Sequence, residues 1–362
     1  MSNGPDVFFR LDASSTIGGG HLGRSLVLAE CLRKMGARIE FLSASLDGPY
    51  MDSLAAHAFP VKILDVAGEI KDDTSLSRDA RASTAAITTQ RRAAKRILVV
   101  DHYRISLPWE SALRAVVDGI VVIDDLADRN HDCDLLLDQS YGEDGSRYAD
   151  LIPPGCKGLY GTRYALLRPE FADWRVRRVG ELPENDRDVI VHAFFGSEDV
   201  VANALRFPPL MLKVKGVSQV RVAVSPQFKY ATELEALRQQ YPGRLSWRVA
   251  GPNMAEHMAG CDIAVGSPGH ATWERACLGL PAALIAIADN QVPILKRLAE
   301  EKFCFFLGVD RILGDDDFLT GFSRFVSDRN ELAAMREKSL AMVDGLGSDR
   351  VAASVFALGS DL

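Results

Sequence analysis

Asp12-Ala13-Ser14-Ser15-Thr16-Ile17-Gly18-Gly19-Gly20-His21-Leu22-Gly23-Arg24 separates two unlike patterns in the chain. Before it, Val7 to Leu11 is a short apolar run of the kind that forms a buried strand. After it, Leu22, Leu26, Ala29 and Leu32 recur at helical spacing and predict a helix over 21–35. Gly36 follows the last turn, where a C′ glycine is favoured. Glycines between a strand and a helix let the backbone approach a ligand, and the helix N-terminus favours negative charge. Gly18, Gly20 and Gly23 fit G-x-G-x-x-G. About six residues lie between the strand and the first glycine, where a dinucleotide fingerprint wants an immediate turn. The acid that should close the second strand is also missing, because Glu40 lies inside it. The match therefore argues only weakly for a dinucleotide.

The same rhythm continues outward. Arg38 to Ser43 reads as a strand, as do Ile97 to Val100 (ending at Asp101), Gly119 to Ile123 (ending at Asp124-Asp125) and Asp134 to Leu137. Strands alternating with helices predict βαβ units and a parallel sheet. Around 168–187 the alternation breaks: Arg168-Pro169-Glu170 and the charged stretch Trp174 to Asp188, with Pro183, read as a connection. It then restarts with strands at Asp188 to Phe195, Gln219 to Val224, Leu245 to Val249, Ile263 to Val265 and Ala282 to Ile287. Helices are expected at Met254 to Ala259, at Thr272 to Leu278, and over Leu332 to Leu358 with a break at Gly345-Leu346-Gly347. A length of 362 residues suits two domains at roughly 150 residues each. The expectation is an α/β chain of two Rossmann-like, doubly wound domains, 1–167 and 188–345, joined by a linker at 168–187. Residues 346–362 would form a helix packing back on the first domain. Ligands in such sheets bind beyond the carboxyl ends of the strands, here expected in an interdomain cleft.

Composition narrows the function. Acidic residues number 49 against 42 basic ones, a formal charge of −7, which disfavours a general nucleic-acid binder. None of the six cysteines forms a C-x-x-C pair, so neither a zinc ribbon nor a thioredoxin-like motif is present. The stretch from Met1 to Phe9 lacks a basic region and a long apolar run, so no signal peptide is expected. The longest apolar run, Leu280 to Ala288, is too short for a membrane span. A soluble, cytoplasmic, monomeric protein without cofactor or metal is expected.

Chemistry concentrates on the strand-end loops. His21 sits in the glycine loop, either as a helix-capping or surface histidine or as a general base, for which imidazole is suited near neutral pH. In Asp101-His102-Tyr103, Asp101 either orients a histidine or closes an Asx turn, and Tyr103 offers a hydroxyl to a sugar or water. His131-Asp132-Cys133-Asp134 has metal-ligand residue types, but alternation lets at most two converge, so a solvated loop leading to an inward Cys133 is the better reading. Gly266-Ser267-Pro268-Gly269-His270-Ala271-Thr272-Trp273-Glu274-Arg275 is a second glycine loop opening a helix, a second phosphate cradle. Glu274, expected in the first turn, either compensates the dipole or accepts hydrogen bonds from two ribose hydroxyls. Asp289-Asn290-Gln291 either turns the chain or supplies amides to a sugar.

Together these segments resemble the UDP-2,4-diacetamido-2,4,6-trideoxy-β-L-altropyranose hydrolases of pseudaminic acid biosynthesis. The resemblance rests on Arg10-x-Asp12, Gly18-x-Gly20-His21-x-x-Arg24, Asp101-His102-Tyr103, Asp124-Asp125, His131 to Asp134, and Gly266 through Glu274 to Asn290-Gln291. It covers most of the chain; the second glycine loop with Glu274 is shared more widely among GT-B glycosyltransferases. The resemblance implies a GT-B fold, with UDP held mainly by the second domain. It implies hydrolysis of the sugar C1–O bond by water, with inversion and without metal, to release a free sugar bound for a nonulosonic acid used in flagellin or surface glycans. His21 matches the family's base, Tyr103 and Asn290 groups near the reacting sugar or water, and Glu274 the ribose carboxylate. Asp12, Gly18, Gly20, Arg24, Asp101, Gly196, Ser267, Gly269, His270, Ala271, Thr272 and Gln291 complete the expected substrate contacts. Gly196-Ser197-Glu198-Asp199 and His270 depart from the family's usual Gly-Gly-Thr/Ser-Asp and small loop residue. A GT-B glycosyltransferase and a non-catalytic nucleotide-sugar binder are the competing readings.

Overall fold

The computed structural model describes residues 4–14, 17–66, 69–89, 92, 94–179, 187–196, 199 and 202–359; Ser197 and Glu198 lie outside them. The chain divides into two compact units, one of Met1–Arg168 with Leu346–Leu362, the other of Pro169–Gly345.

The first unit runs β1 (Asp6–Leu11), α1 (Gly20–Lys34), β2 (Arg38–Ser43), α2 (Gly48–Ala56), β3 (Val61–Ile63), α3 (Asp73–Thr88), β4 (Arg96–Asp101), α4 (Leu107–Leu113), β5 (Gly119–Ile123), β6 (Leu135–Asp138) and β7 (Lys157–Tyr160). The strands form one parallel sheet in the order β3-β2-β1-β4-β5-β6-β7. Side chains alternate across it. Val7, Phe9, Leu11, Ile97, Val99, Val121 and Ile123 share one core. Phe8, Leu98, Val100, Ile120, Val122 and Leu136 share the other. Both faces are therefore covered, which is why these strands read as unbroken apolar runs. α1 ends in a Schellman turn: Gly36 has φ +98, its N–H reaches the Arg33 carbonyl, and that of Ala37 reaches Leu32.

The second unit begins with α5 (Pro169–Val179), then β8 (Val189–Phe194), α6 (Asn203–Met211), β9 (Val217–Val224), α7 (Ala231–Gln240), β10 (Leu245–Val249), α8 (Met254–Ala259), β11 (Ile263–Gly266), α9 (His270–Cys277), β12 (Ala282–Ala286), α10 (Val292–Glu300), β13 (Phe305–Val309), α11 (Asp315–Ser327) and α12 (Arg329–Met342). Its parallel sheet has the order β10-β9-β8-β11-β12-β13.

The stretch expected as a connection thus opens with a helix. Pro169 stands at its start, Glu170 in its first turn and Arg177 and Arg178 in its last, a polarity suited to a helix. Only Phe171 of α5 is buried, so apolar periodicity could not reveal it. Arg175 donates to the carbonyls of Leu340 (2.7 Å), Cys277 (3.0 Å) and Val343 (3.1 Å) and fixes α5 to the second unit.

The last helix, α13 (Gly347–Leu358), packs in the first unit, where Val351, Ala352 and Val355 join the core of α1. Ser348 Oγ donates to the Leu167 carbonyl at 2.7 Å. A Cβ at Gly347 would lie 2.4 Å from the Ala165 carbonyl, so only glycine admits this approach. No helix among the described residues is long and apolar enough to cross a membrane.

Candidate functional site

In each sheet the winding reverses between the first and fourth strands of its unit, β1 and β4 in one, β8 and β11 in the other. That reversal opens a crevice at the carboxyl ends of those strands. The loops read as chemical in the sequence, after β1, β4, β8 and β11, all emerge there.

At the first crevice two histidine–aspartate pairs cross between the loops. His21 Nδ1 lies 2.5 Å from Asp101 Oδ1. His102 Nε2 lies 3.1 Å from Asp12 Oδ2. Each loop supplies the carboxylate for the other loop's imidazole. Their chemical states differ. The Arg104 backbone N–H donates to His102 Nδ1 at 3.1 Å, so Nε2 carries the proton and donates to Asp12. Both His102 nitrogens are occupied, and burial lowers its pKa despite Asp12. His102 therefore has no free nitrogen with which to take a proton and is excluded as the alternative base.

His21 has the opposite arrangement. With Nδ1–H directed at Asp101, Nε2 is left as an acceptor without a hydrogen bond among the described residues. The Tyr103 ring packs edge-on against the imidazole, centroids 4.6 Å apart, and stays 43% exposed. Tyr103 Oη donates to Asp125 at 3.4 Å; burial first, then Asp125, raises the pKa of the phenol.

Arg24 grips Asp101 with Nε (2.7 Å) and Nη2 (2.6 Å) and reaches Asp125 at 3.2 Å. Ser25 adds a bond to Asp101 at 3.3 Å. Burial opposes the Asp101 charge, but Arg24 and then His21 outweigh it and hold the carboxyl well below the usual range. Asp12 is likewise buried and held low, first by His102 and then by Arg10. It accepts from Arg10 (2.7 Å), Ser43 (3.0 Å) and the Ala44 and Ser45 N–H groups (2.8 and 3.1 Å). Arg10 in turn spans Asp12 and Asp79, and Asp79 also accepts from the Trp109 indole at 2.9 Å. Asp12, Asp101 and Arg24, expected to touch substrate, are engaged within the protein instead. Arg24 and Asp12 are 7% and 2% exposed, which makes them supports for the histidines. Asp79 carries no sequence signal, because the buried face of α3 is largely small and polar, with Ser75, Asp79, Ala80 and Ser83 on it.

Gly18 has φ +85, and a Cβ at Gly18 or Gly20 would meet nothing within 4 Å. The loop beside His21 is open at these two positions, whereas a Cβ at Gly19 between them would lie 2.7 Å from the Tyr50 ring. The His131 to Asp134 stretch makes its contacts elsewhere: His131 Nδ1 with Glu110 (2.8 Å), and Asp132 and Asp134 with Arg114 (2.8 and 2.5 Å), while His131 Nε2 is buried without a hydrogen bond among the described residues. Cys133 is buried, its sulfur 3.5 Å from that of Cys156. Among the described residues no group of three or more His, Cys, Asp and Glu side chains could hold a metal ion.

At the second crevice Gly196 (φ +97) and Gly269 (φ +110) turn the chain after β8 and before α9. A Cβ at Gly196 would lie 3.1 Å from Ser267 Oγ; one at Gly266 would lie 1.8 Å from the Phe194 carbonyl. Glycine at 266 is what lets the two strand ends meet. α9 begins at His270 rather than Thr272, with Ala271 and Thr272 buried in its first turn. Glu274 therefore falls beyond the first turn, and the dipole-compensating reading loses its basis, because that effect fades within one turn. Thr272 Oγ1 is buried without a hydrogen bond among the described residues. Asn290 lies in a 3-10 turn, Asp289–Gln291, after β12. Gln291 Oε1 accepts from the Ile287 N–H at 2.9 Å, which ties its side chain back to the turn.

No family model matches the chain. It is 27% identical over 224 residues, 62% of this chain and 72% of the other, to the UDP-2,4-diacetamido-2,4,6-trideoxy-beta-L-altropyranose hydrolase of Campylobacter jejuni. It is 25% identical over 229 residues, 61% of this chain and 63% of the other, to the spore coat polysaccharide biosynthesis protein SpsG of Bacillus subtilis. The crystal structure of MurG from Acinetobacter baumannii superposes with a TM-score of 0.69 at 15% identity, covering 97% of this chain and 99% of that one. The fold is GT-B.

Proposed function

We propose that this GT-B chain is a metal-independent UDP-sugar hydrolase. It cleaves a UDP-linked diacetamido-trideoxy sugar at C1 with inversion, releasing UDP and free 2,4-diacetamido-2,4,6-trideoxy-L-altrose for pseudaminic acid biosynthesis. The observation that carries the reading is the state of His21, with Nδ1 tied to a buried carboxylate and Nε2 without a hydrogen bond among the described residues, next to Gly18 and Gly20, which border open space. The similarity to the Campylobacter jejuni hydrolase supports the substrate class.

In this mechanism His21 Nε2 accepts a proton from water as the water oxygen bonds to C1. The C1–O bond to UDP breaks on the opposite face and the electron pair leaves with the diphosphate. Asp101 holds the ring and stabilises the imidazolium that forms; Arg24 holds Asp101. The loop 266–272 and the N-terminus of α9 receive the diphosphate, and Glu274 accepts from the ribose hydroxyls. Tyr103, packed against His21, would lie beside the sugar and the water.

The GT-B fold equally serves glycosyltransferases, and MurG supports that second reading at the level of fold. Product analysis separates them. The purified protein, given the UDP-sugar and no acceptor, should release UDP and reducing sugar in equal amounts. Product formed only when an acceptor is added would establish a transferase. Activity should also persist in excess EDTA; loss with chelator and recovery with Mg²⁺ or Mn²⁺ would overturn the metal-independent mechanism.

A further inference from the structure

Among the described residues, Arg10, Arg24 and Arg275 sit almost wholly inside the protein at the crevices. Arg10 is paired with Asp12 and Asp79, and Arg24 with Asp101 and Asp125. Arg275, 1% exposed on α9, has no carboxylate within ion-pair distance among the described residues. Its Nη1 donates to the Ser267 carbonyl at 2.9 Å and its Nη2 to the Phe194 carbonyl at 3.1 Å. Its Nε is buried without a hydrogen bond among the described residues. An uncompensated buried charge is costly, and proteins ordinarily pair it. Here burial lowers the guanidinium pKa to about 10 even with Glu274 next in sequence.

The two carbonyls belong to different turns. Phe194 ends β8 and Ser267 follows β11, the strands that flank the reversal of winding. Arg275 therefore staples together the two glycine turns that frame the second crevice. It also places a positive charge beneath them. Gly266 makes room for it, since a Cβ there would lie 2.7 Å from Arg275 Nη2. Nearby His192 does not add a second charge, because burial, then Arg275, holds its pKa well below the ordinary value.

We propose that Arg275 is the positioning residue of the diphosphate site, a buried cation whose missing counter-charge is the diphosphate of the bound nucleotide, and that it acts through the Phe194 and Ser267 turns. This rests on the reading of the second crevice as the UDP site. The guanidinium holds the turns in the anion-receiving shape, and the ligand supplies the negative charge that the fold omits. Its influence falls on the phosphates and not on the base, so it grows with each phosphate.

Calorimetry with UDP and UMP on the full-length wild type, Arg275→Met and Arg275→Lys tests this. Wild type should prefer UDP over UMP. Arg275→Met should lose at least tenfold in UDP affinity and most of the UDP-over-UMP preference, with a smaller loss for UMP. Arg275→Lys keeps the charge but not the planar two-carbonyl staple, so its preference should fall at least threefold. Should the methionine variant not fold, the lysine variant decides alone. A folded variant of either kind with the wild-type preference overturns the role of Arg275 and leaves the UDP reading standing. A wild type that binds neither nucleotide overturns that reading, and the proposal with it.

Discussion

At the scale of single residues, the crossed pairs assign unequal tasks to two similar histidines. General bases typically contribute about 10²–10⁴-fold. His21→Asn is expected to lower kcat by roughly two orders of magnitude or more while UDP affinity stays nearly unchanged. His102→Asn should leave kcat within a few-fold, because neither His102 nitrogen is free, and should show its effect in thermal stability. Single-turnover rates and UDP titrations on both variants check this, and the reverse pattern would transfer the base role to His102. Glu274→Ala removes a charged acceptor whose hydrogen bonds are worth about 1.5–3 kcal/mol each. UDP binding should weaken about tenfold or more, and unchanged calorimetric affinity would dismiss Glu274 as the ribose ligand. The identity of His21 as a chemical residue was legible from its place in a glycine loop. Its partner was not, because Asp101 lies 80 positions away.

At the scale of elements, the two glycine loops differ in what they tolerate. A Cβ at Gly266 would lie 1.8 Å from a backbone carbonyl that cannot yield without parting β8 from β11. Gly266→Ala should cost at the upper end of about 1–3 kcal/mol, lowering the melting temperature by roughly 5–10 °C. Gly20→Ala meets nothing, so the fold should melt at the wild-type temperature or slightly above. Scanning calorimetry of the two variants side by side reads the contrast, and equal melting temperatures would refute it. The strand–loop–helix units were legible because their periodicities are local. Several helices between them were not, α3 and α5 among them. α5 buries only Phe171, and α3 buries a mixture of small, polar and apolar side chains including Ser75, Asp79 and Ser83. The two-residue shift in the start of α9, which moves Glu274 out of the first turn, arises because glycine and proline mark a boundary without fixing which residue begins the helix.

At the scale of the whole molecule, stability should depend on pH through buried histidines. The pKa of His102 is lowered, that of His257 is lowered to about 4, and that of His192 is held well below its ordinary value, in each case chiefly by burial. A group whose folded pKa is depressed takes up its proton more readily when unfolded. Its contribution is therefore complete above the unfolded value, about 6.5, and is lost as pH falls toward the folded one. Each histidine contributes a slope of up to about 1.4 kcal/mol per pH unit in that window. Asp12 and Asp101 are also depressed, and they withdraw stability only below the ordinary carboxylate range. Unfolding midpoints should thus fall from pH 6.5 toward 4. His192→Leu should flatten the dependence of the second unit, and an unaltered slope would contradict the assignment.

The sequence by itself determined the alternation of strands and helices, the glycine loops at strand ends, and the residue types carried there. Those features arise from periodicity and backbone freedom within a dozen residues. Only the tertiary structure decided which carboxylate serves which histidine, that Arg24 and Asp12 face inward, and that Arg275 has no carboxylate partner among the described residues. The physical reason is the strand order. It sets β1 beside β4 in one unit and β8 beside β11 in the other, so that within each unit loops far apart in sequence meet at a crevice.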